Sequence, residues 1–196
     1  MENKNLTLTL TIILVVVIFL AGTFILLEKQ KIAGMVERSS RLILNNPEIE
    51  IIEGENVQSL QFFNGSVSAD CCTESWQMIR LDKITSADDS RICLFVHPRE
   101  NAAVNLIYKN IKLKKAIAFS TAISDVVVTG FNSPVYMDVY INNILLERIT
   151  QPDVKGWLNT SISTSQYENK LADVKLVISA DNNSQRHFCF DAETVE

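Results

Sequence analysis

The chain has 196 residues and a formal net charge of −5, from 18 basic and 23 acidic side chains. The basic residues are scattered along the chain, whereas a nucleic-acid footprint needs them clustered on one face, so that class is excluded. With six glycines and two histidines, there is no Gly-x-Ser-x-Gly, no His-Glu-x-x-His and no phosphate-cradling glycine loop, so the chain reads as non-catalytic and without a cofactor.

After a short tail over residues 1–5, residues 6–27 read LTLTLTIILVVVIFLAGTFILL, without one charged side chain. A helix of about 20 apolar residues spans a bilayer core, and it satisfies its own backbone hydrogen bonds where lipid cannot. The stretch outruns the roughly 7–15-residue apolar region of a cleaved signal peptide. It predicts a single-span membrane anchor. Residues 28–47 then predict a helical stalk, because Ile32, Met35, Val36, Ser39, Leu42 and Ile43 recur at three- and four-residue spacing. Pro47 ends it by pushing the preceding residue out of helical geometry. The stripe would lie on the domain or, as a short coiled coil, pair two copies of the chain into a homo-oligomer.

From Glu48 the period changes from helical to two, and residues 48–196 read as one β-rich domain. Strands are expected over 48–51, 57–63, 76–81, 91–96, 102–108, 116–123, 134–141, 144–150, 156–162, 174–180 and 186–191. Asn64-Gly65 and Asn142-Asn143 supply hairpin turns, because Asn and Gly tolerate positive φ. Asp88-Asp89-Ser90 and residues 181–184 read as loop tips. Short strands with regular turn signals argue an antiparallel sandwich. The alternation of Val135, Met137, Val139 and Ile141 against Tyr136, Asp138 and Tyr140 implies one buried face and one wet face.

The order Ala122-Ile123-Ser124-Asp125, Gly130, 134–140, Lys155-Gly156-Trp157, 174–180 and 186–192 resembles the galactose-binding-like jelly rolls, NPCBM-like modules in particular. The resemblance covers roughly residues 102–192. It implies a jelly-roll β-sandwich and a carbohydrate-binding role.

Four cysteines, Cys71, Cys72, Cys93 and Cys189, are disulfide candidates. The pairings left open join Cys93 to Cys189, or join each of the adjacent pair to one of those two. Alternation puts Cys189 on the strand face opposite Phe188 and Phe190. A set of Cys93, His97, His187 and Cys189 could instead hold zinc, and Asp125, Asp191 and Glu193 could offer oxygens to calcium. Trp157, Tyr136, Tyr140, Tyr108 and Trp76 could form a sugar-stacking platform, although aromatics also dominate cores; Tyr136 and Tyr140, which oppose the apolar stripe, are the pair expected to be exposed. The ligand-binding candidates are Tyr136, Tyr140, Trp157 and Asp125. Asn64, Asn159 and Asn182 each open an N-glycosylation tripeptide. Topology divides the signals. Lys29, Lys31, Arg38 and Arg41 follow the span, against Lys4 before it, and positive-inside counting puts the domain in the cytoplasm. The cysteines and tripeptides argue for the other side, which we take as the expectation. The chain thus reads as a membrane-anchored extracytoplasmic module for a glycan or an envelope protein. The alternatives are a structural accessory subunit and a cytoplasmic-facing metal-binding domain.

Overall fold

The computed structural model describes residues 40–67, 74, 77–99 and 101–196. The expected membrane span, the stalk up to residue 39, Cys71, Cys72 and Trp76 lie outside the described residues.

The described chain is all-β and antiparallel. Its strands are β1 (Glu48–Glu53), β2 (Asn56–Phe63), β3 (Ser66–Val67), β4 (Arg80–Ser86), β5 (Asp89–Val96) and β6 (Ala102–Lys112). They continue as β7 (Ala116–Ile123), β8 (Val135–Ile141), β9 (Ile144–Gln151), β10 (Leu158–Ser163), β11 (Leu171–Ala180) and β12 (Phe188–Val195). Hydrogen bonding joins them in the order β10-β7-β12-β5-β4-β3-β2-β1-β6-β11-β8-β9. β2 divides this order into two sheets: its last two residues pair with β3, and its earlier ones with β1. Sheet I runs from β10 to β3 and sheet II from β1 to β9.

The two sheets form a sandwich because each presents an apolar row to the other. Leu94, Val96, Phe119, Phe188 and Phe190 of sheet I share one buried cluster with Ile49, Val104, Leu106, Met137, Val139, Leu176 and Ile178 of sheet II. Each such side chain contributes about 1.5–3 kcal/mol when fully buried. From β5 to β12 the chain changes sheet at every connection except the β8–β9 hairpin. That hairpin turns on Asn142 and Asn143, whose φ values of 50° and 66° are the left-handed pair that a two-residue turn demands.

A second, smaller core lies on the outer face of sheet I. Ile84, Cys93, Phe95, Ala122 and Cys189 are buried there, with Trp157 packed against them. The β4–β5 hairpin covers this face. Its tip is fixed by Ser86 Oγ donating to the Ile123 carbonyl (3.0 Å) and Ala87 N–H donating to both Asp125 oxygens (3.1 Å each).

Three expectations need correction. The helix expected to run to residue 46 is replaced at its end by a 3-10 turn over Leu42–Leu44. Leu42 and Ile43 are 0% and 1% exposed in the main core, so the folded unit begins before residue 48. Helical spacing and a buried turn give the same pattern over so few residues. The strand expected over 76–81 is shifted to Arg80–Ser86, and the turn of its hairpin falls on Ala87 and Asp88, both at positive φ. The described chain starts at the end of the sandwich where Arg41 bridges Glu193, late in β12. The loop before β12 lies at the other end.

Candidate functional site

β8 carries the most exposed aromatic row of sheet II. Val135, Met137, Val139 and Ile141 point into the core, and Tyr136 and Tyr140 point outward, half-buried. Between the tyrosines lies Asp138. Arg148 of β9 grips it with both nitrogens of one edge, Nε to Oδ1 at 2.6 Å and Nη2 to Oδ2 at 2.8 Å. The Arg148 guanidinium lies 5.2 Å from the centre of the Tyr136 ring, and Lys175 Nζ of β11 lies 4.6 Å from that of Tyr140.

That arrangement depends on a bulge. A two-residue turn at Asn142-Asn143 would by simple register set Asp138 opposite Glu147. The ladder instead slips by one residue, with Val139 opposite Glu147 and Asp138 opposite Arg148. Like charges directly opposite would be destabilising, and the bulge exchanges them for an ion pair.

At the strand end beyond Tyr136, its hydroxyl donates to Asp181 at 3.0 Å, which pushes the phenol pKa up. Asp181 belongs to a cavity of about 590 Å³, lined also by Asn101, Ala102, Ala103, Ser179, Ala180, Asn182 and Asn183. This lining is rich in amide donors and acceptors. Asn183 is shared with a second cavity of about 360 Å³, bordered by His97, Ser184, Gln185 and His187. The two imidazoles meet edge-on at 5.6 Å. Burial, with the cationic groups Arg99 and Arg186 and the facing His187, lowers the His97 pKa to about 4 against a bond from its Nδ1 to the Pro98 carbonyl. Burial, with Arg80 and Arg186, lowers His187 as well.

A buried ion pair holds this end in shape. Arg186 and Asp153 are 0% and 3% exposed, and Nη1 meets Oδ1 at 2.9 Å. Asp153 Oδ2 accepts from Thr129 Oγ1 and from the backbone N–H groups of Thr129 and Asn132. Arg186 also donates to the carbonyls of Ser133 and Ser184. One pair thus ties together the β7–β8, β9–β10 and β11–β12 loops. Burial pushes the Asp153 carboxyl up, but the bonds from Asn132, Thr129 and Arg186 outweigh it, and its pKa falls to about 2.

The four ligand-binding candidates divide between the sheets. Tyr136 and Tyr140 share the outer face of sheet II, whereas Asp125 and Trp157 lie over sheet I as anchors of the β4–β5 hairpin. Trp157 Nε1 donates to the Asp89 carbonyl at 3.0 Å, and its ring takes Arg91 at 4.9 Å. Tyr136, Tyr140 and Trp157 therefore do not share one stacking platform. Cys93 and Cys189 form a disulfide, so the zinc set with His97 and His187 is overturned too: both thiolates are consumed. Of the calcium set, Asp125 holds Ala87, Asp191 is paired with Arg41 at 2.7 Å, and Glu193 accepts from Ser40 at 3.3 Å. Among the described residues no three His, Cys, Asp or Glu side chains converge. Asn64, Asn159 and Asn182 are all exposed. Tyr108 lies in the core at 1% exposure. Sequence reasoning missed Arg148, Lys175, Asn101, Asp181 and Asn183. Only Lys175 carried a usable signal, as an outward residue in the alternation of β11.

No family model matches the sequence, and no curated protein matches it. Solved structures to which the chain is similar include carbohydrate-binding modules. One is CBM51-2 with the INT domains of Clostridium perfringens ZmpB, in complex with GlcNAc, at 14% identity and TM-score 0.43 over 59% of this chain and 25% of that one. Another is the CBM51 of Clostridium perfringens GH95 in complex with methyl-galactose, at 10% identity and TM-score 0.42 over 59% and 81%. A third is a family 35 carbohydrate-binding module from an environmental isolate, at 12% identity and TM-score 0.37 over 74% and 92%. The chain spans about a quarter of the length of the first of these.

Proposed function

We propose that the domain is a non-catalytic glycan-binding module of jelly-roll type, held at a membrane by residues 6–27 and facing the outside of the cytoplasm. One observation carries the glycan reading. Tyr136 joins an outward aromatic row to an amide-lined cavity through its bond to Asp181. Saccharides combine apolar ring faces with dense hydroxyls, and an aromatic surface beside a few fixed polar groups suits both. The near-continuous exchange between sheets from β5 to β12 supports the jelly-roll reading, as does the sequence resemblance over residues 102–192. The Cys93–Cys189 bond supports an oxidising compartment, since disulfides are rare in the cytosol.

The test is binding of the detergent-solubilised full chain to a glycan array. The parent should bind, and Tyr136→Ala should weaken binding by about tenfold, or about 1.4 kcal/mol. Protease added to intact cells should remove the domain. Val126 and Phe131, 84% and 96% exposed in the β7–β8 loop, favour a second reading, an accessory subunit that docks a protein partner. Silence on the array together with co-purifying membrane subunits would establish that reading instead.

A further inference from the structure

Resting on the glycan-binding reading, we infer that the saccharide taken by the outer face of sheet II is anionic, with its negative group held by Arg148 and Lys175. Arg148 is already fixed. Its Nε and Nη2 edge is spent on Asp138, its plane lies by the Tyr136 ring, and Nη1 meets no acceptor among the described residues. The side chain is 56% exposed, so Nη1 is within reach of a ligand. Lys175 stands at the Tyr140 ring and makes no ion pair with any described carboxylate. The two cations come from the strands on either side of β8, Lys175 opposite Tyr140 and Arg148 opposite Asp138.

The placement of charge points the same way. Asp138 is gripped by Arg148 and Asp181 accepts from the Tyr136 hydroxyl, so neither carboxylate is paired with Lys175 at the Tyr140 ring. Glu48 and Glu50 stand on β1, with β6 between them and β11. Glu147 pairs with the inward-facing Val139. A ligand that reaches either tyrosine meets a guanidinium or an ammonium beside the ring. A carboxylate or sulfate there makes charge-assisted bonds, roughly twice as strong as neutral ones. The prior fixing of Arg148 removes much of the ordering cost.

The test is calorimetric titration of the detergent-solubilised full chain with tetragalacturonate, its methyl-esterified counterpart and a sulfated galactan tetrasaccharide. The acid should bind, the ester should bind at least about tenfold more weakly, and the acid's Kd should rise with salt as screening grows. Lys175→Gln should weaken the acid by about fivefold, roughly 1 kcal/mol, at an unchanged thermal midpoint. That variant decides the matter even if Arg148→Gln unfolds the domain by freeing Asp138. Binding of the sulfated sugar alone keeps the inference and identifies sulfate as the group. Equal affinity for acid and ester overturns it and leaves the glycan reading standing. No binding to these three or to any neutral glycan overturns both.

Discussion

Replacing Asp153 by Ala should be among the most damaging single changes available in this domain. Arg186 and Asp153 are 0% and 3% exposed, so the substitution leaves a guanidinium buried without its counter-charge. Breaking a buried pair from one side costs about 3–5 kcal/mol. The loss should be larger than a surface pair could give, because the same carboxylate also holds the Thr129 and Asn132 N–H groups. Acid should reproduce part of it. The Asp153 carboxyl titrates at about 2 in the fold against 3.8 ordinarily, and a depressed carboxylate stabilises the native state above its unfolded pKa. That stability is present above about pH 4 and is lost as pH falls toward 2, amounting to about 2 kcal/mol at 1.36 kcal/mol per unit. Urea unfolding of the full chain and of Asp153→Ala, across pH 2 to 7, measures both. The double variant Asp153→Leu with Arg186→Met should recover much of the loss, since an apolar replacement of a buried pair is often neutral. A loss below about 1 kcal/mol for Asp153→Ala, or a double variant no better than the single one, would refute the argument.

A chain lacking Leu42 and Ile43 loses two fully buried side chains and should be about 3–6 kcal/mol less stable, whereas one beginning at residue 40 should melt like the parent's domain. Val139→Asp should unfold the domain because it buries an unpaired charge, and Tyr140→Ser on the opposite face should be much milder; equal thermal midpoints for the two would overturn the strand register. Cys189→Ala should cost about 4–5 kcal/mol for a loop closed over a separation of 96 residues, on the chain-entropy account, and non-reducing peptide mapping should recover the Cys93–Cys189 link. The lowered His97 pKa means that the unfolded chain takes up its proton first, so stability should fall as pH drops from 6.5 toward 4 and then level off for this group; His97→Gln should flatten that slope, and an unchanged slope would rule His97 out as its source.

β1, β7 and β8 fall within a residue or two of their expected bounds, and each buries alternate side chains. β9 buries only Ile149 and Gln151 and was legible through the Asn142-Asn143 turn that starts it. β4 was not legible. Its sequence, Arg-Leu-Asp-Lys-Ile-Thr-Ser, buries only Ile84 and Ser86. What holds it is the outer core around the disulfide, which forms only once Cys93 and Cys189 are adjacent. β3 is two residues long and lies below any periodic signal. Leu42 and Ile43 were visible as apolar, but their spacing could not distinguish a stalk stripe from a plug in the core.

The site was legible only as far as period two reaches. Alternation assigns a side chain to the inner or the outer face of its own sheet, and it did so correctly for Tyr136, Tyr140 and Cys189. A two-sheet fold has two outer faces, and strand order alone decides between them. Trp157 and Asp125 border β10 and β7 in sheet I, while β8 lies in sheet II, so residues near in sequence to the tyrosines end on the opposite side of the molecule. The partners of the tyrosines depend on register in the same way. The turn at Asn142-Asn143 predicts Glu147 opposite Asp138, a repulsive pair beneath two aromatic rings. One extra residue in β9 replaces it with Arg148 and brings a guanidinium beside Tyr136. The charge of the candidate binding face is therefore set by a bulge, a feature that the residue types on either strand do not announce.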